Sequence, residues 1–277
     1  MSLFELFPGV HVWSDSNLAP GRTNAGVVVD DDGLTIVDAL VSPAMARPFF
    51  DAVTALAAPI RRLVLTSSHL PHVGGSGLFV LPAVYGSAQI SLHMDQPPNV
   101  AGCTALYADT DASISAKDIA ELEDVPTRAV THTIGEGAWL SAAAVAAPLR
   151  GELEENLIVQ VPEARVVFAG AVASFGVVPM AGLGDPAAWI SALDTLLEWG
   201  EIIVPGHGPI GGEEEVRDLQ AYLQACIDAD GDAAALASGP WNEWAGRQFN
   251  AVNVERAAKL SAGDDSPPPA LLRLLGN

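Results

Sequence analysis

What most restricts the fold of this chain is an order of short strands and helices that roughly recurs in its two halves. In the first half, the β-branched runs His11-Val12-Trp13, Ala25 to Val29 and Leu34 to Val37 are split by Pro-Gly and by the charged turn Asp30-Asp31-Asp32-Gly33, which predicts a meander of strands. Met45, Phe49, Val53 and Leu56 then fall at helical spacing behind a Ser42-Pro43 start, and the bounded apolar run Arg62 to Leu65 predicts a buried strand after that helix. The second half repeats the pattern. Strands are predicted at 83–85, 88–90, 142–147, 157–161 and 166–169, with Pro162 to Arg165 as a hairpin turn. A helix over 186–198, capped by Asp185, leads to a strand at 202–204 that runs into Pro205-Gly206-His207-Gly208. After Gly212 the pattern is helical to the end, apart from the polar stretch 263–269. Two mixed β-sheets, each fed by one half and covered outside by helices, bury all these faces most economically. The expected fold is therefore α/β, a four-layer α/β/β/α sandwich over residues 1–212, with a helical extension over 213–277 packed on it.

Composition narrows the partners. With 277 residues, 49% of them hydrophobic, the chain can build a sizeable core. Thirteen Lys and Arg against 34 Asp and Glu give a net charge of −21, a field that repels phosphate backbones and anionic lipid. Nucleic acid and membrane surfaces are thus disfavoured, and a small molecule is the expected ligand. Cys103 and Cys226 match no metal or redox spacing and read as free thiols of a reducing compartment. The segment MSLFELFPGVHVW lacks a basic region and a small-residue cleavage site, and no run of some 18 uncharged apolar residues occurs, so a cytoplasmic location is expected.

The residues that carry chemistry follow the strand ending at Leu65. Thr66-Ser67-Ser68-His69-Leu70-Pro71-His72-Val73-Gly74-Gly75 is a polar turn with two histidines ahead of a glycine pair, at a strand-to-loop junction where α/β proteins keep their sites. The turn resembles the T-H-x-H-x-D-H signature of the metallo-β-lactamase superfamily. His69 and His72 match its second and third histidines, while Ser67 stands in place of the first and Pro71 in place of the aspartate. Thr23-Asn24-Ala25-Gly26 and the run from Asp32 to Asp38 resemble the family's early strands, ending in the aspartate that supports the histidine turn. The hairpin Leu157 to Gly170 and the loop Val204-Pro205-Gly206-His207-Gly208-Pro209 resemble its later elements. The likeness covers about residues 5 to 215, and the quinoprotein-relay-like hydrolases of bacteria are the most similar subset.

That resemblance implies a depleted ligand set. Ala171 follows Gly170 where family members carry a bridging aspartate, and the late histidine position falls near Glu152, within a residue or two. A zinc ion takes three or four protein ligands, so the loss at Ser67, Pro71 and Ala171 argues against a two-metal hydrolytic centre. Three arrangements stay open: one zinc or iron ion held by His69, His72, His207 and Glu152, with Asp38 and Ser67 as supports; a metal-free pocket in which these groups act as acid, base or substrate donors; or histidines retained only as loop structure. Pro71 fixes its own φ and pushes Leu70 out of the helical region, so the turn is expected to be reshaped as well as stripped.

Other features have plainer readings. His11, His93 and His132 are expected as satisfied or exposed histidines. Gly74 to Gly77 lacks the Lys-Ser/Thr of a nucleotide loop and reads as close backbone approach. Glu213-Glu214-Glu215 is the charge preference of a helix start. Trp241, Trp244 and Phe249 are expected as core, with a substrate lid or homodimer contact as the alternative. The function expected is that of a divergent member acting on or binding a small carbonyl compound, an ester, lactone or thioester, with at most one metal. A non-hydrolytic cyclase, isomerase or lyase and a non-catalytic ligand-binding protein are the alternatives.

Overall fold

The computed structural model describes residues 2–14, 18–110 and 114–276. Among them, the first half carries β1 (Ser2–Phe7), β2 (Val10–Ser14), β3 (Ala25–Asp30), β4 (Gly33–Val37), α1 (Pro43–Thr54), β5 (Ile60–Val64), α2 (Leu70–Val73), β6 (Ala83–Gly86), α3 (Ala88–Met94), α4 (Val100–Thr110), α5 (Ala116–Ala120) and β7 (His132–Thr133). The second half carries β8 (Ala138–Trp139), β9 (Val145–Leu149), β10 (Asn156–Val161), β11 (Val166–Ser174), α6 (Pro186–Trp199), β12 (Ile202–His207), α7 (Glu213–Asp228), α8 (Phe249–Ser261) and α9 (Pro269–Leu274). One seven-stranded sheet runs in sequence order from β1 to β7, antiparallel up to β4 and parallel from there. The other has the order β12-β11-β10-β9-β8, with only the β11–β12 pair parallel. Each parallel pair needs a crossover, and α1 to α6 fill those crossovers.

Strand periodicity explains how the layers stack. In β10, Leu157, Val159 and Val161 share a core with Val27, Ile36 and Leu63 of the first sheet, whereas Ile158 between them joins Trp189, Leu219 and Tyr222 of the helical layer. Val166 and Phe168 of β11 face the first sheet, and Val167 and Ala169 face the helices. On the far side of the first sheet α1 buries Ala46, Phe49 and Val53, with the Phe49 ring 5.6 Å from Trp13. Burying a side chain the size of Phe49 contributes roughly 1.5–3 kcal/mol before entropy is counted. The result is the α/β/β/α architecture that the strand and helix order implies. No helix among the described residues is long and apolar enough to cross a membrane.

Three local expectations change. Residues 88–90 are helical, since the Ser87 hydroxyl accepts from Ile90 N and caps α3. The strand expected at 166–169 runs on to Ser174, every residue of it buried, because small residues let it lie between two layers. The edge strand β1 was not anticipated; its half-exposed face leaves little periodicity to read.

Candidate functional site

The site is built where β5, the β4 end, β11 and β12 release their chains at one rim. Asp38, just past β4, holds φ at +62°, a left-handed conformation costly for a non-glycine residue. Three hydrogen bonds hold it there: Thr66 N and Thr66 Oγ1 donate to its two carboxylate oxygens at 2.8 and 2.6 Å, and His72 Nδ1 lies 2.7 Å from Oδ2. A carboxylate only accepts, so His72 carries its proton on Nδ1 and turns the Nε2 lone pair the other way. Asp38 and His72 are buried. Burial opposes charge on His72, but the charge of Asp38 and its hydrogen bond outweigh this and raise the histidine's pKa.

Glycines make room for this arrangement. Gly170 sits at φ +49°, and a Cβ there would fall 2.0 Å from Thr66 Oγ1; a Cβ on Gly206 would fall 2.7 Å from His72 Cε1. Thr23 and Asn24 tie the two histidine loops together. The Thr23 hydroxyl donates to Pro71 O at 2.6 Å, and the Asn24 amide donates to Pro205 O and Gly208 O at 2.9 and 2.8 Å. His207 then donates Nδ1–H to Arg22 O at 3.0 Å, and its ring centroid stands 5.6 Å from that of His72. Burial lowers the His207 pKa to about 4, with Glu152 opposing and the His72 charge adding to the shift, so it is neutral at ordinary pH.

His69 belongs to a different pair. Its Nδ1 lies 2.7 Å from Glu152 Oε2, while Glu152 Oε1 accepts from Met180 N at 3.0 Å. Burial favours the neutral acid at Glu152, but the His69 hydrogen bond and the surrounding histidine charges overcome it and hold the carboxyl below its usual range. Ser67 is buried, and its hydroxyl accepts from His69 N at 3.2 Å, a backbone prop with no place in the cavity wall.

His69, Glu152 and His207 line a cavity of about 270 Å³ whose other walls are mostly apolar, among them Leu70, Met94, Leu106, Val178, Phe249 and Leu271. Phe249 and Leu271 come from α8 and α9, so the C-terminal helices supply part of the wall, whereas Trp241 packs edge-on against Tyr222 in the core. Of the six residues singled out in sequence, three face this space. Asp38, Ser67 and His72 stand behind it and fix its rim.

Two further wall residues are Ser68, which the motif turn contains without a role assigned to it, and His93, which reads in sequence as a satisfied or exposed histidine. Ser68 Oγ and His93 Nδ1 are 2.8 Å apart, and both line the cavity. Burial, with the His69 charge adding to it, lowers the His93 pKa. A serine beside a motif histidine, and a histidine 25 residues on in a helix, leave no spacing signal. By contrast His11 lies on β2 and His132 stacks on Tyr85, as their plainer readings expected.

The superfamily resemblance raises the question of a metal. A protein-held zinc needs three or four converging donors. Here Glu152 is taken up by His69 and Met180 N, His72 by Asp38, and His207 Nδ1 by the Arg22 carbonyl; among the described residues no group of three or more His, Cys, Asp or Glu is disposed to hold a metal ion. His69 Nε2 and His72 Nε2 are buried without hydrogen-bond partners, and of the two rings only that of His69 lines the cavity. This arrangement does not fit a resident metal cage.

Residues 18–207 match the family model of the metallo-beta-lactamase superfamily. Among solved structures, the metallo-beta-lactamase FIM-1 of Pseudomonas aeruginosa, in a mono-zinc form, is 17% identical, over 80% of this chain and 94% of that one, with a TM-score of 0.59. A metallo-beta-lactamase of Hirschia baltica is 16% identical over 79% and 96%, TM-score 0.58, and one of Pontibacter korlensis 15% over 80% and 98%, TM-score 0.60. At such identities the likeness is one of fold. No curated protein matches the chain.

Proposed function

Because the chain belongs to the metallo-beta-lactamase superfamily, we propose that its cavity acts on a small, largely apolar carbonyl compound, an ester, lactone or thioester. His69 and Glu152 serve as the acid–base pair, and no more than one metal ion takes part. The observation that supports this reading is the His69–Glu152 pair set in an apolar wall. Glu152 fixes the His69 proton on Nδ1, so the Nε2 lone pair is free to take a proton from an attacking water or from carbon. The cavity is large enough for a few carbon atoms beyond the carbonyl and has little to offer a polyanion.

A second reading is favoured by one feature, Pro71 in place of a water-orienting carboxylate. There His69 takes a proton from the carbon next to the carbonyl, as in an isomerase or lyase. A pocket that binds without turnover is the third outcome.

Turnover of a series of short p-nitrophenyl esters by the wild type and by His69→Ala and Glu152→Gln tests the leading reading. Removing a general base typically costs about 10²–10⁴-fold in rate. The expected result is a loss in that range in kcat for His69→Ala with an unchanged melting temperature. Wild-type kcat/KM in that variant would overturn the assignment, and two tightly held metal equivalents per chain would overturn the limit on metal.

A further inference from the structure

We propose that Ser68 and His93 form a nucleophile–base pair in the same cavity, so that the acyl group of the substrate is transferred to Ser68 before water releases it. This rests on the carbonyl reading above and deepens it by assigning a covalent route.

The geometry has three parts. Ser68 Oγ and His93 Nδ1 are 2.8 Å apart, the separation of a hydroxyl hydrogen-bonded to the base that activates it. Both side chains are half-buried and both line the cavity, so the hydroxyl is open to an occupant and still shielded from bulk water. Ser68 adjoins His69 in the chain, which places a second base, backed by the Glu152 carboxylate, in the same wall. Neither member of the Ser68–His93 pair has a structural duty like that of Ser67, whose hydroxyl props the turn, or Ser87, whose hydroxyl caps a helix.

The chemistry divides between the two pairs. Ser68 Oγ attacks the acyl carbon while its proton passes to His93 Nδ1. The bond from the acyl carbon to the leaving oxygen or sulfur breaks, and His93 returns the proton to that atom as the alcohol or thiol departs. Water then enters, gives a proton to His69 Nε2 and attacks the acyl-serine. The bond to Ser68 Oγ breaks, and the proton on His69 passes to the serine oxygen. The sum is ester or thioester plus water to acid plus alcohol or thiol, with no change of oxidation state.

The test uses the full chain and two probes: a fluorophosphonate with a short alkyl tail, which labels activated serines without turnover, and p-nitrophenyl butyrate. We expect phosphonylation of Ser68 in the peptide map, absent in Ser68→Ala and at least tenfold slower in His93→Gln. With the butyrate ester we expect His69→Gln to release one equivalent of p-nitrophenol, stall, and carry a butyryl adduct on Ser68 in the intact mass. No phosphonylation of the wild type, or labelling elsewhere, overturns the proposal, and because this needs no variant a folding failure cannot obscure it. Ester turnover that survives in Ser68→Ala but not in His69→Gln overturns the covalent route and leaves the carbonyl reading standing. Labelling at Ser68 with no turnover of any ester by the wild type overturns the carbonyl reading and the acyl transfer that rests on it, and leaves only an activated serine.

Discussion

His69 and His72 stand three residues apart on one turn, yet their surroundings differ in kind. His72 points back into the fold, where Asp38 and Thr66 hold it in a closed set of hydrogen bonds and Gly206 admits its ring. His69 points into the cavity and has one carboxylate partner, reached across 83 positions of sequence. The inner histidine is tied into the fold, and the outer one faces the cavity. The loops around both histidines are organised by residues outside the cavity wall, Thr23 and Asn24 through hydrogen bonds to the carbonyls of Pro71, Pro205 and Gly208, and Asp38 through Thr66 and His72.

The largest expected effect would erase the difference between the two histidines. Pro71→Asp with Ala171→Asp returns two carboxylates to the positions that the superfamily resemblance assigns to them, beside His72 and His207. A three- or four-ligand zinc site binds with roughly 10 kcal/mol or more, so this variant is expected to retain one zinc more per chain than the wild type after dialysis. Elemental analysis reads the result. A folded variant that takes up no additional zinc would show that the inner histidines are not a stripped metal site.

Next in size is the removal of the inner support. Asp38→Ala leaves His72 buried and unpaired, and breaking a buried pair in this way costs about 3–5 kcal/mol. Denaturant melts should show a fall of that order, whereas Glu152→Gln should lose less, because the amide oxygen can still accept from Met180 N and the amide can still hydrogen-bond His69. Equal losses at the two sites would break the division between a structural and a reactive histidine.

Much of this was legible in the sequence. Alternation in Leu157 to Val161 and helical spacing in Met45 to Leu56 carry the two-sheet fold, because both follow from burying one face of a regular element. The motif turn and the terminal His207 loop located the rim. The pairing within the rim was less accessible. That Glu152 joins His69, and that Asp38 joins His72 and Thr66, depends on which way each side chain leaves its loop, and Asp38 does so from a left-handed conformation that its neighbours impose. His93 reads in sequence as a satisfied or exposed histidine, and its approach to Ser68 depends on where α3, a helix capped by Ser87, sets its side chain, which spacing along the chain does not show.

The smallest expected effect tests how the inner set shares its load. Thr66 contributes a backbone N–H and a hydroxyl to Asp38, and only the hydroxyl can be removed by substitution. Thr66→Val keeps the branched shape that packs against Gly170 and deletes one hydrogen bond to a charged group, a loss of about 1.5–3 kcal/mol. The fall in stability should be smaller than for Asp38→Ala, since His72 keeps its carboxylate. Ester turnover through His69 should stay within a few-fold of wild type, because the outer pair touches neither Thr66 nor Asp38. Turnover falling in step with His69→Ala would mean that the two histidines act as one unit, and the separation of a structural inner pair from a reactive outer pair would fail.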